Sequence, residues 1–147
     1  MLRLIAGVIV GWIVMAILVM ATFAITVLAL GLEGTLQPES YWTTNTFNVI
    51  VLAGGFIAAI LGGVVCMAIA RDARAAYALA TIIIAFGLAS AVMNMNKSDP
   101  PARAGDPTLQ DITSHGKEPN WFAFTTPALS AAGILIGSGL SRRKPAR

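Results

Sequence analysis

Residues Phe47–Asn96 read FNVIVLAGGFIAAILGGVVCMAIA-RDAR-AAYALATIIIAFGLASAVMNMN, and their reading decides the fold. The charged tetrad Arg71-Asp72-Ala73-Arg74 separates two charge-free runs, Phe47–Ala70 and Ala75–Asn96. A helix needs about 20 apolar residues to cross a hydrocarbon core of roughly 30 Å. Both runs meet that length, and the tetrad between them is too short to do more than turn. The stretch therefore predicts a helical hairpin across a membrane. Asp72 is placed to cap the second helix, because its carboxylate accepts from free backbone N–H groups.

The same pattern extends in both directions. Upstream, 29 uncharged residues run from Leu4 to Leu32. Downstream, Trp121–Leu140 carries no charge. The whole chain is 56% hydrophobic and only 12% charged, against about 25% charged in ordinary soluble domains. These features predict an all-α integral membrane protein: a four-transmembrane-helix up-down bundle, one membrane domain over residues 1–147. The spans are expected near 4–32, 47–70, 75–96 and 119–141. Outer loops then cover 33–46 and 97–118, and a tail covers 142–147. The first run is longer than a crossing needs, so it should tilt or protrude. It is also about twice a signal-peptide core of roughly 7–15 residues. The best cleavage candidate, Ala21-Thr22-Phe23-Ala24, has the wrong spacing, so a retained first helix is expected.

Positive charge sets the orientation. Arg3, Arg71, Arg74, Arg142, Arg143, Lys144 and Arg147 fall on one face, and Lys97, Arg103 and Lys117 on the other. The basic-rich side of short loops stays in the cytoplasm, so both termini are expected to be cytoplasmic. The net charge of +3 is then topological and does not point to nucleic acid. The tail SRRKPAR anchors orientation and can touch anionic headgroups. Tyr41, Trp42, Trp121 and Phe122 lie at the outer ends of spans, where an interfacial aromatic belt belongs. Trp12 lies near mid-depth and reads as a packing residue.

The second outer loop contains DPTLQDITSHG. It predicts a short amphipathic helix, with Asp106 as cap, Pro107 at the first position and Gly116 as the stop. The fourth span is expected to start at Pro119 and kink at Pro127, with threonine hydroxyls helping the freed carbonyls.

Small residues recur at four-residue spacing. Gly7 and Gly11 mark the first span. Gly54, Ala58, Gly62 and Cys66, beside Gly55, Ala59 and Gly63, mark the second. Gly133 and Gly137 mark the fourth. Such stripes let helix backbones approach closely, which replaces the hydrophobic drive that is missing inside lipid. They are candidate helix-packing surfaces, within the chain or against another. Cys66 reads as a small packing residue.

Several chemistries lose their usual carriers. No Asp, Glu, Lys, Arg or His falls inside a span, where proton relays, ion-coupled transporters and voltage sensors place them. The single cysteine excludes an intrachain disulfide and a CxxC centre. Asp111, His115 and Glu118 are spaced as ligands on one helical face would be, but Gly116 and Pro119 interrupt that helix. Met93 and Met95, two apart, point in opposing directions on a helix and hold a soft metal only if that end unwinds. No cofactor, metal site or catalytic group is expected.

All four spans carry neutral hydrogen-bonding groups in their outer halves: Thr22 and Thr26, Asn45 and Asn48, Ser90 and Asn94, Thr125 and Thr126. They are candidates for a shallow polar vestibule. The leading functional expectation is a non-enzymatic structural or accessory membrane subunit, packing through its small-residue faces against itself or a larger membrane complex. The alternative is a small-solute or lipid-handling protein using the vestibule. Membrane lipids and other membrane subunits are the expected partners. Short loops and simple topology suggest the bacterial inner membrane.

Overall fold

A computed structural model of the protein describes residues 1–100, 102, 105, 108, 110 and 114–142. Among these residues there are four helices: α1 (Leu2–Thr35), α2 (Asn45–Ala70), α3 (Ala73–Met95) and α4 (Asn120–Arg142). All four are long and apolar enough to cross a membrane. There are no strands among the described residues, only two isolated β-bridges in the connections. One end of the bundle, the termini end, carries both helix termini and the Arg71-Asp72 turn. The opposite end, the cap end, carries the two longer connections.

Local chemistry explains the helix boundaries. Gly31 sits inside α1 at φ 70° and ψ 168°, a conformation that glycine adopts without a Cβ penalty. It breaks the over-long first run and leaves one further turn beyond it. Thr44 caps α2, its side chain accepting from the Phe47 N–H. At the other end Arg71 takes the left-handed conformation, φ 53°, and its N–H donates to the Met67 carbonyl. Asp72 then opens α3 by accepting from the Arg74 N–H at 2.9 Å, as its position predicts.

α4 starts one residue after Pro119, whose carbonyl accepts from Phe122 and Ala123. The helix continues through Pro127. Thr125 and Thr126 donate to the carbonyls of Trp121 and Phe122. The carbonyl that Pro127 leaves without its helical N–H is that of Ala123. The two hydroxyls therefore bond to its neighbours and not to the freed group.

The packing is uneven. α2 lies between α1 and α4, and α3 leans mainly on α4. α1 and α3 touch much less, as do α2 and α3. The continuous core lies toward the termini end, where Met15, Cys66, Ala75, Ala76, Leu79 and Ile134 are buried together.

The glycines on these contact faces meet other helices of the same chain. A Cβ on Gly7 would lie 2.8 Å from the Cys66 carbonyl oxygen, and one on Gly11 would lie 3.0 Å from that of Gly62. Gly62 faces Met15, and Gly54 faces Thr22. Gly63 lies against the Ile134 backbone, Gly137 against the Ile60 backbone and Gly133 against Ala59 and Phe56. Ala58 and Ala59 are buried beside them. Gly55 alone of the predicted stripes has open space where a Cβ would stand.

The cap end is tied by loop contacts. Leu36 pairs with Thr43, and Trp42 with Lys117. Lys117 is buried, with its side chain only 9% exposed. Its ammonium donates to the Lys97 carbonyl and to Asp99, each at 2.9 Å, and lies 5.0 Å from the centre of the Trp42 ring. One lysine thus joins the first connection to the exit of α3. The short helix expected around Asp106–Gly116 falls largely outside the described residues.

Candidate functional site

The weak contact between α1 and α3 leaves a seam with two compartments. Toward the cap end lies a cavity of about 390 Å³ bounded by all four helices. Val19 and Phe23 of α1 face Phe47 and Val51 of α2 across it. Phe23 and Phe47 meet edge to face with centroids 5.6 Å apart, which fixes both rings. Phe122 and Pro127 of α4 close another side. Most polar groups gather toward the cap end, from Ser90, Asn94, Glu118 and Thr126, and Ser130 adds one hydroxyl-bearing residue a turn deeper on α4.

That polar end opens into a second hollow of about 300 Å³, lined by Ser90, Met93, Asn94, Lys97, Gly116 and Glu118. Ser90, Asn94 and Glu118 belong to both walls, so the two hollows adjoin. The Asn94 amide donates to the Glu118 carbonyl at 2.9 Å and holds the end of α3 against the entry to α4. Residue Glu118 is solvent-accessible. Desolvation by the protein around it nevertheless raises its carboxyl above the ordinary carboxylate range, and the Lys97 charge lowers it in part. No ion pair within 4.0 Å joins Lys97 to Glu118. Opposite charges thus share the mouth without neutralising each other by contact.

Of the eight vestibule candidates, the structure brings Ser90, Asn94 and Thr126 to the cavity. The other five are turned elsewhere. Thr22 and Thr26 donate to the Leu18 and Thr22 carbonyls of their own helix, and Thr22 also fills the space over Gly54. Thr125 bonds back to Trp121. Asn45 is exposed at the start of α2. Asn48 is fully buried; its Oδ1 accepts from the Thr43 hydroxyl at 2.9 Å, while its Nδ2 has no partner.

Comparison of the chain with protein-family models, with curated proteins and with solved structures found no match.

Toward the termini end the seam holds a wholly apolar groove of about 370 Å³, lined by Val8, Ile9, Trp12, Leu79, Ile82 and Phe86. Trp12 is 51% exposed on this groove. Expected as a packing residue, Trp12 lines this groove and is not covered by α3.

Gly87 and Lys97 are not singled out by the sequence as site residues, and Glu118 is read there only as a metal ligand. Gly87 receives the Pro127 ring, which sets α3 against α4 below the cavity. Its four-residue spacing from Ala91 is a signal of the same kind as the other stripes. Lys97 and Glu118 supply the charges of the mouth, and only the fold brings them together. Among the described residues, no group of three His, Cys, Asp or Glu side chains could hold a metal ion. Asp111 of the weighed Asp111/His115/Glu118 set lies outside the described residues, and His115 stacks on Tyr41 at 5.3 Å.

Proposed function

We propose that this chain is a non-catalytic membrane protein that holds a lipid-like or small apolar guest in the cavity between α1 and α3. The observation that carries the proposal is the cavity bounded by all four helices, mainly apolar within and most polar toward the cap end. Its volume of about 390 Å³ falls in the range of small-molecule sites, roughly 300–1,000 Å³. The tight packing of α1, α2 and α4 supplies the rigid wall, and α3 supplies the side on which a guest enters.

The proposed setting is the bacterial inner membrane with both termini cytoplasmic, following the charge asymmetry of the sequence. The cap end then lies at the outer leaflet, and the mouth of the cavity lies level with lipid headgroups. The test is solvent extraction of the protein purified in mild detergent, with identification of any small molecule retained. Ser90→Trp places a large ring on the wall shared by the two hollows. A defined guest retained by the wild type and lost from Ser90→Trp supports the proposal. Equal retention by both, or none by either, contradicts it.

A second reading is an accessory subunit of a larger membrane complex. The apolar groove at Trp12, Ile82 and Phe86 favours it, since a partner helix could lie between α1 and α3 there. Most of the glycine stripes face helices of this chain, so the groove is the better docking surface. A bulky Ile82→Trp change that releases a co-purifying subunit would support this reading.

A further inference from the structure

The two adjoining hollows differ in chemistry, and the difference matches a molecule with two unlike ends. The inner cavity is walled mainly by apolar side chains, Phe23, Phe47, Val51 and Phe122 among them, with Thr126 and Ser130 as the polar residues along α4. The outer hollow is lined by Lys97, Glu118 and Ser90, residues that carry an ammonium, a carboxyl and a hydroxyl. A purely apolar guest would leave that hollow unused. A polar solute would strip its own hydration to enter the inner cavity and gain few hydrogen bonds there.

The two charges narrow the choice further. An anionic headgroup alone would meet Lys97 but would face the Glu118 carboxylate across the same hollow. A cationic headgroup alone would meet the reverse conflict. A headgroup carrying both signs satisfies both residues, with its phosphate toward Lys97 and its ammonium toward Glu118. A primary ammonium suits Glu118 best, because it has three N–H donors for a carboxylate acceptor. A quaternary ammonium has none.

We infer that the mouth is a recognition site for a phosphoethanolamine headgroup, whose acyl chain occupies the cavity behind it. This rests on the guest-binding function proposed above and gives that guest its chemical class. The same headgroup chemistry occurs on a two-chain bilayer lipid and on a single-chain lysolipid, and the experiment separates them.

The full-length protein is reconstituted in nanodiscs containing phosphatidylethanolamine, phosphatidylglycerol and phosphatidylcholine in equal amounts. It is then released, and its retained lipids are read by native mass spectrometry. The expected result is one retained phosphatidylethanolamine per chain, enriched about tenfold over either other lipid, which corresponds to about 1.4 kcal/mol. Lys97→Gln should reduce the amount of retained lipid severalfold and Glu118→Gln should reduce that enrichment severalfold, while both variants keep wild-type helicity. Lys97→Gln should lower retention of all three lipids, since each presents a phosphate, whereas Glu118→Gln should narrow the gap between phosphatidylethanolamine and phosphatidylglycerol. In a parallel arm, added lysophosphatidylethanolamine displaces the two-chain lipid if a single chain fills the cavity, and fails to if the second chain adds contacts. Stronger displacement by lysophosphatidylethanolamine than by lysophosphatidylglycerol supports the headgroup assignment, equal measurable displacement by both overturns it, and where neither displaces, the enrichment in the nanodisc arm decides. Equal retention of the three lipids, abolished by Ser90→Trp, overturns the headgroup inference and leaves the guest cavity standing. No retained lipid in any variant overturns both.

Discussion

The two neighbours of α1 teach different lessons. Against α2 it makes backbone-close contact, with Gly7 and Gly11 facing the Cys66 and Gly62 carbonyls. Against α3 it makes few contacts and leaves an apolar groove and a cavity. Both seams are built from apolar residues, so hydrophobicity does not distinguish them. Side-chain size does. Inside lipid, helices associate through close packing and not through water exclusion. Glycine on α1 meets small residues on α2, whereas Trp12 and Phe86 stand along the α1–α3 groove. Large side chains stand between those two helices, and the space left there is the one we propose a guest occupies.

The largest expected effects come from filling the close-packed contacts. A Cβ on Gly63 or Gly137 would overlap the backbone of Ile134 or Ile60, and no rotamer change relieves that. Gly137→Ala should cost about 1–3 kcal/mol through overpacking. Gly63→Leu together with Gly137→Leu should prevent the folded bundle from forming. Unfolding of the detergent-solubilised protein in sodium dodecyl sulfate, followed by circular dichroism, measures both. Wild-type stability in Gly137→Ala would show that backbone-close packing of α2 against α4, the same kind of contact as α1 makes with α2, does not hold the bundle together.

Next comes the cap. Lys117→Met removes two charge-assisted hydrogen bonds and the contact with Trp42, and should cost about 1–3 kcal/mol in the same assay. Asp99, at 82% exposure, is the weak partner of that pair. Asp99→Asn should therefore cost under about 1 kcal/mol. If the two variants were equally destabilised, the lysine would owe its effect to the ion pair, and its bond to the Lys97 carbonyl would matter little.

The smallest effect is expected at Gly55. It has open space where a Cβ would go, and alanine favours a helix over glycine by about 1 kcal/mol or less. Gly55→Ala should leave stability unchanged or slightly raised. A marked loss of stability or of a native complex would show that another chain covers this face. That outcome would favour the accessory-subunit reading.

The spans were legible in the sequence because each is a charge-free run bounded by charge or proline. Expected limits such as 47–70 and observed limits such as Asn45–Ala70 differ by a residue or two. The caps at Asp72 and Pro119 were legible for the same local reason. The cavity was less so. Thr22, Thr26 and Thr125 are polar at the right depth, yet a threonine in a helix can satisfy its hydroxyl on its own backbone four residues back, and these three do. Polarity by depth therefore predicted more lining residues than the cavity contains. Glu118 and Lys97 read as loop charges because 20 residues of connection separate them, and only the fold sets them at one mouth. The order of helices around the bundle, which places α3 beside α1 but not closely against it, has no local signal at all.

The most direct test of the central claim is the native mass of the protein released from mild detergent, compared between wild type and Ser90→Trp. The account predicts a wild-type peak displaced by the mass of a single amphiphile and a Ser90→Trp peak at the bare chain mass, with helicity unchanged. A wild-type chain that carries no guest, or the same adduct on both proteins, would contradict it.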